Sequence, residues 1–167
     1  DVYKRQVTAS DGSMPLLAPM STIAGQLAII VGSYHLLKHN KGKGVMIGKL
    51  DNIEPRVVTV IGAGVAGTQS ISKALDNNAF VKVLDTKKSK LQKLESEFGS
   101  NNIEYILSTS DSVQSAINES DMVIGSVYVV GKEAPKVVFK DMLKSMNPGT
   151  VMAVSYTHLR AHETLDN

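Results

Sequence analysis

Apolar residues in the second part of the chain follow two alternating spacings. Runs of adjacent β-branched and aliphatic residues, beginning with Arg56-Val57-Val58-Thr59-Val60-Ile61, are separated by stretches in which apolar side chains recur three or four positions apart. An unbroken apolar run suits a strand buried on both faces, and the wider spacing suits one face of a helix. The pattern predicts strands at 56–61, 80–84, 103–107, 121–126 and 150–154, with helices at 65–76, 88–98, 112–118 and 138–146 between them. Gly67, Ile71, Ala74 and Leu75 carry the first helical face; Leu91, Leu94 and Phe98 carry the second. Val113, Ala116 and Ile117 carry the third, and Val138, Met142 and Met146 the fourth. Strands alternating with helices of about ten residues imply right-handed crossovers and a parallel sheet with helices on both faces, an α/β, doubly wound, Rossmann-type fold.

Upstream, Met20 to about His39 reads as one long helix, preceded by Pro15 and Pro19 and ended by Asn40-Lys41-Gly42-Lys43-Gly44. Ile23, Leu27, Ile30, Val31, Tyr34 and Leu37 give it a broad apolar surface, which predicts a helix that is largely buried or spans a domain boundary. A short strand, Val45-Met46-Ile47, and a loop ending at Pro55 then lead into the alternating region.

Where the first strand should end, the chain reads Gly62-Ala63-Gly64-Val65-Ala66-Gly67. A GxGxxG turn between a buried strand and a helix has a physical purpose. Gly62 permits the tight turn, Gly64 lets backbone N–H groups approach a pyrophosphate, and Gly67 lets the helix sit close to the sheet. The phosphates would meet the partial positive charge of a helix N-terminus that begins at Val65. Asp85 closes the next strand, where an acid can accept hydrogen bonds from ribose hydroxyls and disfavour a 2′-phosphate. Lys87, Lys88 and Lys90 lie close enough in sequence to blunt that repulsion. The other role open to Asp85 is capping the following helix.

Composition narrows the class. The chain has 167 residues, 43% hydrophobic and 20% charged, which suits one globular domain with a core. A formal charge of +2, three Phe, no Trp and no basic stripe give no footprint for nucleic acid. Absence of cysteine excludes disulfides, thiolate zinc sites and cysteine nucleophiles. The longest apolar stretch, Ile23 to Gly32, is interrupted by Gln26 and falls short of the roughly 20 residues that span a bilayer. No membrane partner is therefore expected, and a dinucleotide site points to the cytoplasm.

The ends read differently from the middle. Asp1 to Gln6 and Val154 to His158 can be encoded by opposite strands of one short DNA string that looks like a transposon end used to fragment DNA for sequencing. Residues 1–6 and 154–167 are accordingly expected to be non-native. The expected organisation is an interdomain helix and connecting segment at 7–54 and a nucleotide-binding domain at 55–153.

Pro15-Leu16-Leu17-Ala18-Pro19-Met20-Ser21, followed by Ala24-Gly25, resembles the PLLAPMS-x-x-AG signature of alanine dehydrogenases. The GAGVAG turn, Val83-Leu84-Asp85, Ser120-Asp121-Met122-Val123-Ile124-Gly125, Ala134-Pro135-Lys136 and Met146-Asn147-Pro148-Gly149 recur in that family in the same order. The resemblance covers Val7 to Ala153. It implies an NAD-dependent enzyme, usually a homohexamer, that interconverts L-alanine with pyruvate and ammonia. It also implies cofactor contacts by Ser21, by the turn Gly62, Gly64, Val65 and Gly67, and by Asp85, Lys90, Ser108 and Val127. Ser21 could equally serve as N-cap of the long helix.

Two departures stand out. Thr22 and Gln26 replace a Glu and an Arg common in the family, so any ion pair there is absent, and the loop Val130 to Ala134 differs from the usual sequence. The family's substrate-binding Arg and Lys and its catalytic His and Asp have no counterparts in this chain. No catalytic residue is therefore assigned, and the isolated chain is expected to be inactive.

Other constellations are weaker. His35 and His39 share a helical face but find no third ligand, and Gly125 to Lys132 has the wrong spacing for a P-loop. The nucleotide domain of a proton-translocating transhydrogenase, which partners a membrane protein, and a non-catalytic NAD-sensing module are the alternative functions.

Overall fold

The computed structural model describes residues 7–38, 41–128 and 135–154. A long helix α1 (Ala18–Leu37) precedes β1 (Val57–Ile61), α2 (Val65–Asp76), β2 (Phe80–Asp85), α3 (Lys88–Phe98) and β3 (Ile103–Leu107). α4 (Ser110–Glu119), β4 (Met122–Gly125), α5 (Lys140–Leu143) and β5 (Val151–Val154) complete the order. The five strands form one sheet in the order β3-β2-β1-β4-β5, and every pairing is parallel. Chain order reverses between β1 and β4, so a crevice opens outside their carboxyl ends.

The sheet separates two cores. On one face Val58, Val60, Val81 and Val83 pack with Ile29 and Leu36 of α1, Ile71 and Ala74 of α2, and Leu91 and Leu94 of α3. On the other, Ile61, Leu84 and Val123 pack with Val113, Ala116 and Ile117 of α4 and with Met142. Successive residues of β1 thus serve opposite faces, which is why the strand reads as an unbroken apolar run. Thr59, its one polar member, is fully buried and accepts a hydrogen bond from Ser120 Oγ at 2.6 Å.

Three sequence expectations need correction and one is narrowed. Of the two readings of the long helix, largely buried or spanning a domain boundary, burial does not hold within this chain. Ile23, Leu27, Ile30, Val31, Tyr34 and Leu37 are exposed, whereas Gly25, Ile29, Gly32 and Leu36 face the protein. The two glycines decide this, because a Cβ at Gly25 would collide with the Ala66 carbonyl and one at Gly32 would lie 2.8 Å from Met122 Sδ. Close approach of the backbones outweighs side-chain bulk in choosing the docked face. By length and composition α1 would also suffice to cross a bilayer; here it packs along α2 and the β5 side of the sheet.

Val45 to Ile47 is not a strand. Ile47 is buried in the core, but its carbonyl accepts from Arg56 N–H at 2.9 Å as a single contact, not as part of a ladder. Gly44, at φ +67°, breaks extended geometry immediately before it.

The helix expected over 138–146 is reduced to Lys140–Leu143. Lys144, Ser145 and Met146 N–H groups bond carbonyls three residues back at 3.2 to 3.3 Å, so the element tightens into turns rather than propagating. α4, in contrast, starts two residues earlier than expected, because Thr109 and Ser112 form a reciprocal cap.

Beyond the core, Asp121 holds the amino-terminal edge of the sheet. Its Oδ2 accepts from Val57 N–H at 3.0 Å and its Oδ1 from Lys43 Nζ at 2.6 Å, which anchors the segment after α1. On β2, Lys82 pairs with Glu119 at the end of α4 and lies 3.7 Å from Glu104 on β3. The hydrogen bond from Lys82, followed by its charge, holds the Glu119 carboxyl below its ordinary value.

Candidate functional site

The turn after β1 is built from three different glycine requirements. Gly62 sits at φ +102°, and a Cβ there would lie 2.9 Å from the Ser126 carbonyl carbon. At Gly67 a Cβ would collide with the Gly62 carbonyl oxygen and lie 2.8 Å from Ser126 Oγ. Gly64 is different, since a Cβ would meet nothing within 4 Å. Sterics within the chain thus explain Gly62 and Gly67. Gly64 has no internal reason to be glycine, and the space beside it is what a ligand in close contact with the backbone would need.

Gly64 is also the N-cap of α2, and it supplies no side chain to the helix terminus. No acidic residue occupies the first turn. No acidic side chain of α2 itself therefore compensates the positive end of the helix, which faces the crevice as an anion site.

Asp85 lies across from this turn, 8% exposed. Its Oδ2 accepts from Ala63 N–H at 2.8 Å and lies 3.5 Å from Lys90 Nζ, and its Oδ1 accepts from Lys87 N–H at 2.9 Å. Asp85 is not the N-cap of α3, which is Lys87; one of its oxygens braces the turn before that helix and the other braces the glycine turn. Each carboxylate oxygen can accept more than one bond, so capacity remains for a hydroxyl of a bound sugar.

These features border one open cavity of about 820 Å³ at the carboxyl ends of β1, β2 and β4. Its size is within the range of small-molecule sites, roughly 300–1,000 Å³. Of the residues expected from sequence, Ser21, Gly62, Gly64, Val65, Asp85, Lys90, Ser108 and Val127 all line it. Gly67 does not; it lies beneath the turn, fully inside the helix–sheet contact.

Ser21 reaches the cavity from within α1. That helix starts at Ala18 with Leu17 as N-cap, so Ser21 is not the cap. Ser108 follows β3, and its N–H donates to the Asp85 carbonyl at 3.0 Å, which ties its position to that of Asp85. Val127 follows β4, held by the buried Ser126, whose Oγ contacts the Ile61 and Gly62 carbonyls at 3.0 and 2.8 Å.

Two parts of the wall carried no sequence signal. Gly12 to Met14, upstream of α1, border the cavity, and Asp11 beside them accepts from Ser13 N–H at 2.9 Å. Hydrogen bonds from Ser13, its side chain first, hold the Asp11 carboxyl below the ordinary value. Ser126 was also missed, because a lone serine between Gly125 and Val127 has no periodicity to reveal it.

The two weaker constellations lie partly outside the described residues. His39 and Gly131 lie outside the described residues, as do Val130 to Ala134. Among the described residues no group of three or more His, Asp or Glu could hold a metal ion. At the departures at positions 22 and 26, Thr22 Oγ1 donates to the Ala18 carbonyl and Gln26 Nε2 to Gln69 Oε1, both at 3.0 Å.

The chain is similar in sequence and fold to known proteins. The chain is 42% identical over 146 residues to an alanine dehydrogenase of Mycobacterium tuberculosis and 40% identical over 146 residues to one of Halomonas elongata. Each alignment covers 87% of this chain and 39% of the relative, so the chain spans about two fifths of the relatives' length. A solved L-alanine dehydrogenase superposes with a TM-score of 0.84 at 35% identity, over 88% of this chain and 40% of that one. A transhydrogenase from Sinorhizobium meliloti superposes with a TM-score of 0.67 at 26% identity, over 81% of this chain and 40% of that one. The model of the alanine dehydrogenase/PNT C-terminal domain matches residues 28–154, and the chain belongs to that family.

Proposed function

We propose that this chain is the NAD(H)-binding part of an L-alanine dehydrogenase. The observation that carries the reading is the junction of Asp85 with the glycine turn. A buried carboxylate, an uncapped helix N-terminus and open space beside Gly64 border one cavity, and together they suit a ribose joined to a pyrophosphate. Gly64 and Val65 present backbone N–H groups and the helix dipole to the phosphates, while Gly62, whose own N–H is held by the Leu84 carbonyl, shapes the turn. Asp85 accepts from the adenosine ribose hydroxyls, and Lys90 flanks it. Ser108 and Val127 border the adenine and nicotinamide riboside, and Ser21 closes the cavity from α1.

In the whole enzyme the cofactor supplies hydride transfer between its nicotinamide and the α-carbon of alanine. This chain orients the dinucleotide, and the acid–base groups belong to the remainder of the protein. Within this reading residues 7–54 connect two domains and 55–153 form the cofactor-binding unit. The whole protein is a cytoplasmic homohexamer that acts on L-alanine and pyruvate, with no nucleic-acid or membrane partner. Closer superposition and higher identity favour this parent over the transhydrogenase.

Titration with NADH, followed by the fluorescence of the reduced nicotinamide, tests the proposal. Saturable binding that competes with NAD supports it. Absence of binding by a folded chain refutes it.

A further inference from the structure

Part of the cavity wall comes from two helices that pack closely against each other. α1 contributes Ser21 and the α2 terminus contributes Val65 and Ala66. One turn after Ser21, Gly25 packs directly on the Ala66 carbonyl, with room for no side chain. One turn after Ala66, Ser70 is fully buried in the same seam. Its Oγ lies 2.8 Å from the Gly25 carbonyl and 3.1 Å from the Ala66 carbonyl of its own helix. The shorter contact is the one that crosses between the helices. At the solvent edge, Gln26 Nε2 donates to Gln69 Oε1 at 3.0 Å.

We propose that Ser70 is a positioning residue for the dinucleotide cavity, fixing the separation of α1 from α2 and hence of Ser21 from the glycine turn. The proposal rests on the cofactor reading above. A serine within a helix normally bonds only the carbonyl four residues back, which contributes little or slightly destabilises. Here the hydroxyl proton is also offered to a second helix. Its neighbour Gly25 allows the approach, and the Gln26–Gln69 bond repeats the link one residue along each helix. Both helices remain anchored elsewhere: Ile29 and Leu36 hold α1, and Ile71 and Ala74 hold α2. Loss of the Ser70 hydroxyl should therefore loosen the mouth of the cavity while leaving the fold intact.

The test compares wild type with Ser70→Ala in three measurements on the whole chain: NADH affinity, ligand-free thermal midpoint and amide hydrogen exchange over residues 12–21. Loss of one hydrogen bond should weaken NADH binding by about threefold to tenfold. The thermal midpoint should hardly move, and exchange in 12–21 should rise without nucleotide. Ser70→Ala that binds NADH as tightly as wild type overturns the proposal. So does weaker binding with unchanged exchange in that segment. Should Ser70→Ala fail to fold, Gln69→Ala carries the test, because its contact is exposed: weaker NADH binding supports the seam as a positioning device and unchanged binding overturns it. Failure of folded wild type to bind NADH removes the cofactor reading, and this proposal with it; the seam alone fails when wild type binds and the variants bind equally.

Discussion

Ala63 donates its backbone N–H to Asp85 Oδ2 at 2.8 Å, a buried bond that joins the turn after β1 to the end of β2. Asp85 thus shapes the cavity as well as facing it. Asp85→Ala would leave a buried amide without its acceptor, and a loss of stability of about 1–3 kcal/mol is expected from urea unfolding. Asp85→Asn keeps an oxygen for Ala63 and should lose less. Both variants should narrow the preference for NADH over NADPH, since the carboxylate that would oppose a 2′-phosphate is gone; competitive titration with the two nucleotides measures this.

The glycine turn gives a second, sharper separation of folding from binding. Gly64→Ala meets no atom of the chain, so its thermal midpoint without nucleotide should fall only slightly, reflecting the small cost of alanine at an N-cap, about 0.5–1 kcal/mol. The added methyl occupies space assigned to the cofactor, and affinity for NADH should fall by about tenfold. Gly67→Ala clashes within the helix–sheet contact and should lower the thermal midpoint itself. Calorimetry and NADH titration on the two variants separate the outcomes.

The two faces of α1 differ in the same way. Ile29 is 1% exposed, and Ile29→Ala is expected to cost about 2–5 kcal/mol. Ile23 is 61% exposed, and Ile23→Ala should change stability by no more than about 0.5 kcal/mol. The exposed apolar residues of α1 should instead promote association of the isolated chain. Light scattering at high concentration should show a smaller mean mass for Leu27→Lys than for wild type.

Lys82 gives a pH signature. Because Lys82 lowers the pKa of Glu119 in the folded chain, the unfolded chain binds the proton first as pH falls. The pair's contribution is present above the ordinary carboxylate value of 4.5 and is lost as pH drops through the lowered folded value. Lys82→Met should therefore be less stable than wild type at neutral pH, by a few tenths to about 1 kcal/mol. The Glu119 part of that gap should close in strong acid. Urea midpoints across the acid range check it.

The sheet and the glycine turn were legible because their signals are local. Val57 to Ile61 is buried on both faces, and its apolar run says so directly; the positive φ of Gly62 and the contact of Gly67 with the Gly62 carbonyl are demands within a few residues, although Ser126 also crowds both positions. The docked face of α1 was not legible, because the decisive partners, Ala66 and Met122, are distant in sequence and the contact is made by glycines that carry no hydrophobic signal. Asp85 was found from its position at a strand end. Its bond to Ala63 was not, since that depends on the parallel register that pairs Ile61 with Leu84. Ser70 and Ser126 were invisible for a related reason: a buried hydroxyl gains its meaning from carbonyls brought to it by the fold.

Titration of the folded wild-type chain with NADH and, separately, NADPH bears most directly on the central assignment. Saturable NADH binding, tighter than NADPH and weakened by Asp85→Ala, is the expected result. No binding, or tighter binding of NADPH, would contradict the assignment of the Asp85 cavity to NAD.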